Sequence, residues 1–346
     1  MSEPKSKKPA DTAFKQQRLP AWQPILTARN VMPIFFGVAA AFVPIGLGLL
    51  YLTNSVQEFT LDYTNCTSSK SEISCADIIG SNRNMSCYCE MPFILNETFA
   101  PNVYMYYGLT NYYQNHRRYV KSRDDFQLLG KLSKTPSSDC APYDFNDNKP
   151  IAPCGAIANS LFSDDLTLKY NEKQVPLLRT GIAWPSDKNI KYQNPPGQIK
   201  EAFKDFAKPI DWRKNIWELD LENPSNNGFE NEDLIVWMRT AALPDFRKLY
   251  RRIDHSISEF ESGLPTGNYT LLIEYNYPVA GFGGTKSLIL SNTSFTGGKN
   301  LFLGYAYIVV GCICFLLGLL FLIIHIKYKP SVNADVSVVT PSTSYQ

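Results

Sequence analysis

The chain has 346 residues, a formal net charge of +2 and a mean hydropathy of −0.20, and 44% of its residues are hydrophobic. Two segments near its ends are strongly apolar, so the residues between them must be polar on average to give this slightly negative mean. The composition therefore excludes a chain made of membrane helices alone. The intervening stretch of about 250 residues is large enough to bury a core as one domain.

The chain begins with a tail that has two parts. Residues 1–12 are rich in Lys, Ser, Pro and Asp, a composition typical of disorder. Residues 13–27, which we call the strap, contain large apolar side chains such as Phe14, Leu19 and Trp22, while two prolines prevent a continuous helix. We predict that the strap lies either on the membrane surface, with Trp22 as an interfacial anchor, or against a partner protein.

Two uncharged apolar segments, 34–52 and 301–326, predict membrane-spanning helices. At a rise of about 1.5 Å per residue, each is long enough to cross a hydrocarbon core of roughly 30 Å. The first follows a long polar lead and has no small-x-small cleavage site, which indicates an uncleaved signal anchor. Residues 1–30 carry a net charge of +4 and residues 327–346 carry +1. The positive-inside rule therefore places both termini in the cytosol and residues 53–300 on the exoplasmic or lumenal side.

Glycines recur along the second span at Gly304, Gly311 and Gly318. A spacing of seven keeps them on one helix face with only about 20° of drift per step. Such stripes let helix backbones approach closely, so we predict that they pack either against the first span or against the helices of a partner. The alternative is that glycine is simply frequent in membrane helices.

Cysteines and glycosylation signals support the same topology. An even number of cysteines between the spans, in a compartment that permits disulfides, predicts three disulfides without saying how the cysteines pair. These six are Cys66, Cys75, Cys87, Cys89, Cys140 and Cys154. Two more, Cys312 and Cys314, lie in the second span and are predicted to be free thiols. Five Asn-x-Ser/Thr sequons, all between the spans, predict N-glycans at Asn65, Asn84, Asn96, Asn268 and Asn292.

The second half of the loop reads mainly as strands. Asn268–Tyr277 and Lys286–Phe295 flank a glycine-rich turn and predict a β-hairpin. Val103–Tyr107 and Asp233–Thr240 are predicted as further strands, the latter buried. In Asp245–Ile257, apolar residues recur at helical spacing and predict a helix.

The first part of the loop differs, because residues 61–100 hold four cysteines and three sequons with weak periodicity. We predict a disulfide-stapled lobe there in preference to a sheet. The predicted fold class is a membrane protein with two transmembrane α-helices and a large, mainly antiparallel β, sandwich-like exoplasmic domain that carries short helices and disulfides. The predicted boundaries are 1–33 for the N-terminal tail, 34–52 for the first span, 53–300 for the exoplasmic domain, 301–326 for the second span and 327–346 for the C-terminal tail.

No catalytic or metal-binding signature is present in the sequence. The three histidines lie far apart in the chain, at His116, His255 and His325. The paired acids Asp164 and Asp165 would serve a glycosidase only if another carboxylate faced them across a sugar site, and paired surface acids are far commoner. Residues 112–125 mix Arg with Tyr as nucleic-acid surfaces do, but adjacent acids offset the charge and the compartment holds no nucleic acid. We therefore predict no catalytic residue, metal, cofactor or nucleic-acid partner.

Five long segments of specific composition indicate a known family. They are TAFKQQRLPAWQPILT (12–27), YYGLTNYYQNHRRYVKSRDD (106–125), KPIAPCGAIANSLF (149–162), NNGFENEDLIVWMRTAALPDFRKLY (226–250) and GGKNLFLG (297–304). On these segments the chain resembles the non-catalytic β-subunits of type IV P-type ATPases, the phospholipid flippases. This family is also called the ligand-effect modulator or cell-division-control-fifty family.

The resemblance implies two helices, cytosolic termini and a glycosylated, β-rich exoplasmic domain that covers the exoplasmic loops of an ATPase. It also implies how the cysteines pair. The implied disulfides are Cys66–Cys89, Cys75–Cys87 and Cys140–Cys154.

The resemblance further implies a heterodimer with the catalytic α-subunit of such an ATPase. This chain would support the folding, ER exit and localisation of that subunit and its full aminophospholipid translocation. Expected locations are the ER, the Golgi or endosomes, and the plasma membrane, with membrane lipids and N-glycans as further partners. The residues expected to contact the ATPase are Phe14, Arg18, Leu19 and Trp22 in the strap and Gly304, Gly311 and Gly318 in the second span.

The chain has neither a phosphate-binding lysine loop nor an aspartyl-phosphate motif, so it has no means of hydrolysing ATP by itself. Two rival readings share the predicted topology. One is a stand-alone glycosylated adhesion or receptor-like membrane protein, which would not need an apolar strap. The other is a membrane-tethered hydrolase, which would need catalytic groups that converge in a polar cleft of the loop.

Overall fold

A computed structural model describes residues 10–19, 27–82, 85–293 and 297–328 of the chain. The chain divides into two compact units. One unit holds the terminal segments, up to Tyr51 and from Asn300, and the other is Leu52–Lys299.

The described residues form nine α-helices and eleven β-strands. The helices are α1 (Ala28–Asn54), α2 (Cys75–Ser81), α3 (Arg117–Lys121), α4 (Asp125–Leu128), α5 (Ala156–Asn159), α6 (Pro185–Ile190), α7 (Ile199–Ala202), α8 (Glu232–Met238) and α9 (Leu301–Lys327). The strands are β1 (Glu58–Asp62), β2 (Cys87–Leu95), β3 (Tyr104–Leu109), β4 (Phe145–Asn146), β5 (Lys149–Pro150), β6 (Asp165–Tyr170), β7 (Lys173–Gln174), β8 (Leu177–Leu178), β9 (Phe246–Ile253), β10 (Gly267–Tyr275) and β11 (Lys286–Ser291).

Helices α1 and α9 contain the two predicted spans. Helix α1 begins six residues before its predicted span and ends two residues after it, whereas α9 ends one residue after its predicted span. Each has 27 residues, and their mean hydropathies reach 2.1 and 3.0. At about 1.5 Å per residue such helices are roughly 40 Å long, which is enough to cross a bilayer core. The predicted fold class is confirmed in this respect: the chain is a membrane protein with one apolar helix near each end.

The unit between the helices is built from two antiparallel sheets. The first has five strands in the order β1-β11-β3-β9-β8, and the second has four in the order β2-β10-β6-β7. Strands β4 and β5 form a small separate hairpin. All the strand pairs are antiparallel, as predicted.

The core of this unit is filled from both sheets. Along β10 every second residue is buried, and the same alternation runs along β2. Leu288 from the first sheet and Leu271 from the second are both fully buried members of one continuous apolar cluster. Phe59 of β1 also stacks on Phe93 of β2, with ring centroids 4.7 Å apart. This is the sandwich-like packing named in the predicted fold class.

The predicted hairpin between β10 and β11 is wrong, because the two strands belong to different sheets. Strand β10 lies between β2 and β6, whereas β11 lies between β1 and β3. The connection spans residues 276–285 and contains a single 3₁₀ turn at Ala280–Phe282 in place of a tight hairpin turn. A glycine-rich turn between two strand-like segments is equally compatible with a crossover from one sheet to the other.

The predicted strand at Asp233–Thr240 is wrong, because Glu232–Met238 is helix α8. The side chain of Asn231 accepts a hydrogen bond from Leu234 N at 3.0 Å and caps the start of this helix. At its end, the buried Lys248 Nζ donates to the carbonyl oxygens of Trp237 and Arg239, both at 2.7 Å. Two caps from polar side chains therefore outweigh the strand preference of the β-branched residues.

The predicted helix at Asp245–Ile257 is also wrong, because Phe246–Ile253 is strand β9. Its register against β3 shifts between Met105 and Tyr106, which pair with Arg251 and Leu249. Tyr250 is therefore the extra residue of a β-bulge. The bulge turns both Tyr250 and Arg251 inward, and both are buried. Buried charges and a bulge interrupt the period-two pattern that identifies a strand from sequence.

The prediction of a lobe over residues 61–100 is correct only for part of that stretch. Residues 63–86 contain helix α2 and irregular loops, but Cys87–Leu95 is a nine-residue strand in the second sheet. Cys87 and Cys89 point to the same buried side of this strand. The weak periodicity arises because the strand carries cysteines, a proline and exposed Tyr and Glu in place of branched apolar residues.

A buried ion pair joins the two sheets. Lys286 occupies a core-facing position at the start of β11 and is fully buried. Its Nζ donates to Asp164 Oδ2 at 2.6 Å and to the carbonyl oxygen of Tyr277 at 2.7 Å. Burial lowers the pKa of the Lys286 ammonium, and the Asp164 carboxylate opposes that shift.

Asp164 just before β6 is the acceptor at the centre of this arrangement. Its Oδ1 accepts from the backbone N–H groups of Asn276 and Tyr277, both at 2.6 Å. Its Oδ2 also accepts from the Tyr63 hydroxyl at 3.1 Å. The ammonium lies 3.0 Å from the ring centroid of Tyr275. The carboxylate thereby fixes the crossover from β10 to β11, while the ammonium is stabilised by the carboxylate, a carbonyl oxygen and the Tyr275 ring.

Removing one partner of this pair should unfold much of the unit. We expect Lys286→Met to lower the free energy of unfolding by about 3–5 kcal/mol, because Asp164 would be left as an uncompensated buried charge. Denaturant unfolding of the full chain in detergent, followed by tryptophan fluorescence, measures this change. The exposed Lys204→Met is the matched control and should change the free energy by less than about 0.5 kcal/mol. Equal midpoints for the two variants would contradict the prediction.

Buried tyrosines should make the unit sensitive to alkaline pH. Burial raises the pKa of Tyr63, Tyr107 and Tyr277 well above the usual value. Their folded pKa values exceed the unfolded value of about 10, so the stability they contribute is fully present below that pH and is lost as the pH rises above it. We expect tyrosinate absorbance and loss of tertiary circular dichroism to rise together in one cooperative alkaline transition. A gradual tyrosinate titration that precedes unfolding would contradict it.

Candidate partner-binding and modification sites

The glycine stripe of α9 lies in the contact with α1. A Cβ atom added at Gly304 would lie 2.6 Å from Leu50 Cδ2, and one added at Gly311 would lie 2.7 Å from Val43 Cγ2. A Cβ atom at Gly318 would lie 3.0 Å from the Phe36 ring. All three glycines are buried although most of α9 is exposed. The glycines therefore pack against the first span and not against the helices of a partner. This face of α9 is already covered by α1 before any partner binds.

Aromatic pairs extend this helix contact along its length. Phe42 and Tyr307 have ring centroids 4.9 Å apart, and Phe35 and Phe321 have centroids 5.5 Å apart. By contrast, Phe302 is 78% exposed on the outer side of α9. Two helices of this length with one shared seam leave broad apolar faces for lipid or for partner helices.

The strap is described only as far as Leu19. Residues 13–17 form a turn, which the hydrogen bond from Arg18 N to Ala13 O closes at 2.7 Å. Arg18 also forms an ion pair with Asp11. Phe14 and Leu19 nevertheless remain 76% and 58% exposed. Trp22 lies outside the described residues, so its assignment as membrane anchor or partner contact stays a prediction.

The structure pairs the cysteines between the spans as Cys66–Cys89, Cys75–Cys87 and Cys140–Cys154. This is the pairing that the family resemblance implies. The two nested disulfides tie α2 and its loop to the start of β2. The sulfurs of Cys66, Cys75 and Cys89 lie close enough together to resemble a metal site, but all three are in disulfides and offer no thiolate ligand. Cys312 and Cys314 are free.

Three of the five sequon asparagines are exposed in the structure, namely Asn65, Asn96 and Asn268. Asn84 lies outside the described residues. Asn292 is buried, and its Oδ1 accepts from Gln57 N at 2.9 Å while its Nδ2 donates to Gln57 Oε1 at 3.2 Å. A glycan is attached through Nδ2, so the burial of Asn292 argues against a sugar at this position. The prediction of an N-glycan at Asn292 does not fit the structure.

Four exposed side chains of the unit, aromatic, apolar and basic, lie in two close pairs. Trp184 is 62% exposed and lies 4.7 Å from the guanidinium of Arg239. Leu243, four residues after Arg239, is 67% exposed. Tyr113, from a different segment, is 58% exposed. Their chain neighbours Tyr112 and Pro244 are joined by a hydrogen bond from Tyr112 N to Pro244 O, at 3.0 Å. This bond brings the backbones of Tyr113 and Leu243 together. We call Trp184, Arg239, Leu243 and Tyr113 the aromatic patch.

Two features of this unit, the aromatic patch and a cavity, were not predicted, because their signals in the sequence are weak. The aromatic patch comes from two of the family segments, 106–125 and 226–250, together with Trp184 outside them. The second feature is a cavity of about 230 Å³ that is lined by residues of β3, β9 and β10 and by residues 211–214. Asp165, Asp211 and Asp233 line it, but Asp233 is paired with Arg251 at 2.5 Å and Asp165 with Arg179 at 3.5 Å.

The fold and these sites define a class of protein: a two-span membrane protein with a disulfide-tied antiparallel β domain between the spans. The sequence model of the LEM3 (ligand-effect modulator 3) family / CDC50 family matches residues 49–331. The chain belongs to this family.

Named relatives cover nearly the whole chain. It is 53% identical to "Cell cycle control protein 50A" of Mus musculus, over 96% of this chain and 94% of that protein. It is 48% identical to "Cell cycle control protein 50B" of Homo sapiens, over 94% and 96%. It is also 40% identical to "ALA-interacting subunit 3" of Arabidopsis thaliana, over 96% and 90%.

The close helix contact at Gly311 should not tolerate a larger side chain. We expect Gly311→Leu to separate the helices, because overpacking of a tight contact costs typically 1–3 kcal/mol. Cysteines introduced at Phe35 and Phe321 report the helix separation through the yield of a short bifunctional thiol crosslinker.

The control for this experiment is Gly37→Leu, because a Cβ atom at Gly37 meets nothing within 4 Å. Both variants are made with Cys312 and Cys314 replaced by serine. The crosslinking yield should fall for Gly311→Leu and stay at the parent level for Gly37→Leu. An equal fall in the crosslinking yield of both variants would show that the close contact at Gly311 does not hold the helices together.

Glycan occupancy should follow exposure. We expect glycopeptide mass spectrometry of the chain from a eukaryotic host to find glycans at Asn65, Asn96 and Asn268 and none at Asn292. On a denaturing gel, Asn268→Gln should remove one glycan step and Asn292→Gln none. A glycan at Asn292 on the folded protein would refute this reading of the burial.

Proposed function

We propose that this chain is the non-catalytic β-subunit of a phospholipid-translocating P-type ATPase and supports that enzyme's folding, ER exit, localisation and full activity. The observation that carries the proposal is the likeness over 96% of the chain to a protein named as an interacting subunit. In this view the chain forms a heterodimer with the catalytic subunit. It contributes contacts and no chemistry of its own.

The state of the charged side chains supports a non-catalytic role. Glu232, for example, is buried and accepts hydrogen bonds from Ile182 N, Ala183 N and Lys188 Nζ. Burial by itself would raise the pKa of Glu232, but these hydrogen bonds outweigh it and hold the pKa below the usual value. Asp164 and Asp233 are likewise held by cations. Acids fixed in this way stabilise a rigid domain.

The exposed apolar surfaces suit a partner protein. Phe14 and Leu19 in the strap and the aromatic patch on the β domain are surfaces of this kind. Exposed Trp, Tyr and Arg are the side chains that dominate protein interfaces. We assign both surfaces to the catalytic subunit, the strap on the cytosolic side and the aromatic patch on the exoplasmic side.

This assignment uses the topology predicted from the positive flanks, with both termini in the cytosol and residues 53–300 exoplasmic. Contacts on two faces of the membrane shift the conformational equilibrium of the ATPase only by the difference in their binding free energy between its conformational states. They also cover polar and apolar partner surface during export. Stabilisation and export are therefore the main contribution, and tuning of turnover is secondary.

The strap provides a direct test. Affinity purification of the tagged chain in mild detergent should recover a stoichiometric subunit of ATPase size. We expect the double variant Phe14→Ala, Leu19→Ala to reduce this recovery about tenfold, which corresponds to a loss of roughly 1.4 kcal/mol in binding. The neighbouring Lys15→Ala is the matched control and should leave recovery unchanged.

Two results would overturn the proposal. The first is purification of the wild-type chain without a large partner, which would favour a stand-alone adhesion or receptor protein. The second is normal surface delivery and full activity of the ATPase in cells that lack this chain.

A further inference from the structure

The cavity in the β domain is built around the bulge in β9. Because Tyr250 is the extra residue, both Tyr250 and Arg251 face inward and line the cavity. Strand β3 contributes Tyr107, and the segment before β6 contributes Phe162. A bulge that re-aims two large side chains into one cavity is typical of a functional site.

We propose that this cavity binds a single sugar residue of hexose size. Its volume of about 230 Å³ lies below the roughly 300–1,000 Å³ of sites for drug-sized ligands, so one sugar ring suits it better than a longer chain. The proposal does not depend on the ATPase partnership. It rests on three properties of the lining: a hydrogen-bonding pair, aromatic walls and balanced charge.

The hydrogen-bonding pair is Arg251 with Asp233. Arg251 is 4% exposed, and its Nη1 donates to Asp233 Oδ1 and to the carbonyl oxygen of Tyr250, both at 2.5 Å. Its Nε and Nη2 make no hydrogen bond within the described part of the chain. No fully enclosed side-chain nitrogen or oxygen among the described residues lacks a partner. The remaining N–H groups of Arg251 therefore open onto the cavity.

Asp233 presents the complementary atom. Its Oδ1 pairs with Arg251, whereas its Oδ2 makes no hydrogen bond to the described residues. A guanidinium N–H beside a carboxylate oxygen matches a sugar hydroxyl, which accepts from the first and donates to the second. Glu274 adds a similar acceptor, because only its Oε1 is used, by Ser86 Oγ at 3.2 Å.

Aromatic carbon forms the walls. Tyr107 stacks on Phe162 with centroids 3.9 Å apart and nearly parallel rings. Trp212 donates its Nε1–H to Ala158 O at 2.6 Å, so its one polar atom is used outside the cavity lining. Phe162 has no polar side-chain atom and that of Trp212 is satisfied elsewhere, so these two rings leave apolar surface for the C–H face of a sugar.

The charge balance argues for a neutral ligand over an anion such as phosphate. The charged side chains of the lining are Arg179, Arg213, Lys214, Arg251, Asp164, Asp165, Asp211, Asp233 and Glu274. Lys286 neutralises Asp164 from outside the cavity, so the remaining four cations face four acids. Phosphate sites need surplus positive charge, which this lining does not offer.

Saturation-transfer NMR on the full chain tests the proposal. The protein is reconstituted in nanodiscs, because glycoside detergents would compete for the site. The probes are free glucose, galactose, mannose and N-acetylglucosamine. We expect saturation of the ring protons of at least one of them, and a dissociation constant raised about tenfold or more by Arg251→Met. Arg118→Met, at an exposed arginine outside the cavity, is the matched control and should leave the signal unchanged.

A second variant covers the case in which Arg251→Met does not fold. Leu219 lines the cavity and is only half-buried, so Leu219→Trp should fill the space and abolish the signal while it keeps the charges. Loss of the signal in a folded Leu219→Trp protein supports the site. No signal in the wild type either before or after removal of its N-glycans, a signal that survives in both variants, or displacement by equimolar inorganic phosphate overturns it.

Removal of N-glycans distinguishes the source of the sugar. Binding of free sugar only after enzymatic deglycosylation would identify the chain's own glycan as the occupant. Binding before and after would identify a sugar from outside. Release of nitrophenol from nitrophenyl glycosides would mark a catalytic site and overturn the assignment as a binding site.

Discussion

The buried contact between Lys286 and Asp164 is the constraint on which the β domain depends. A lysine at a core-facing strand position is costly unless a carboxylate reaches it, and Asp164 reaches it at 2.6 Å. The same carboxylate accepts the backbone N–H groups of Asn276 and Tyr277. One side chain therefore fixes three things at once: the start of β11, the start of β6 and the crossover that leaves β10. The register of both sheets follows from this point, because a slip by one residue would expose the lysine or bury it without a partner.

Polar side chains inside the domain serve structure in a consistent way. Lys248 closes the carboxyl end of α8, and burial lowers its pKa to about 7. Glu232 holds the backbone of Ile182 and Ala183 near the amino end of the same helix. These contacts make a rigid body from short helices and long connections that have weak preferences of their own. Rigidity of this kind is what a covering subunit would need in order to present a fixed surface to a larger partner.

The outside of the chain is organised differently. The glycine seam of α9 is used within the chain, so the apolar surfaces left for other molecules include the outer faces of the helices, the strap and the aromatic patch. The cavity at the β9 bulge is separate from all of these. The proposed covering role and a small cavity in the same sandwich are compatible, because the bulge alters the sheet locally and leaves the rest of the core intact.

The sequence by itself determined the two spans, the antiparallel β domain, the Val103–Tyr107 strand and the family, since hydrocarbon-length apolar runs, strand-like segments and long specific segments are local signals. Through the family it also implied the disulfide pairing that the structure contains. Only the tertiary structure decided that β10 and β11 part into different sheets, that Glu232–Met238 is a helix and that Phe246–Ile253 is a strand. In each case the deciding partner, whether Asp164, Lys248 or the bulge opposite Met105 and Tyr106, lies outside the segment or breaks its period. Burial of Asn292 and convergence of Arg251 with Asp233 depend on contacts between residues distant in the chain, which no local pattern encodes.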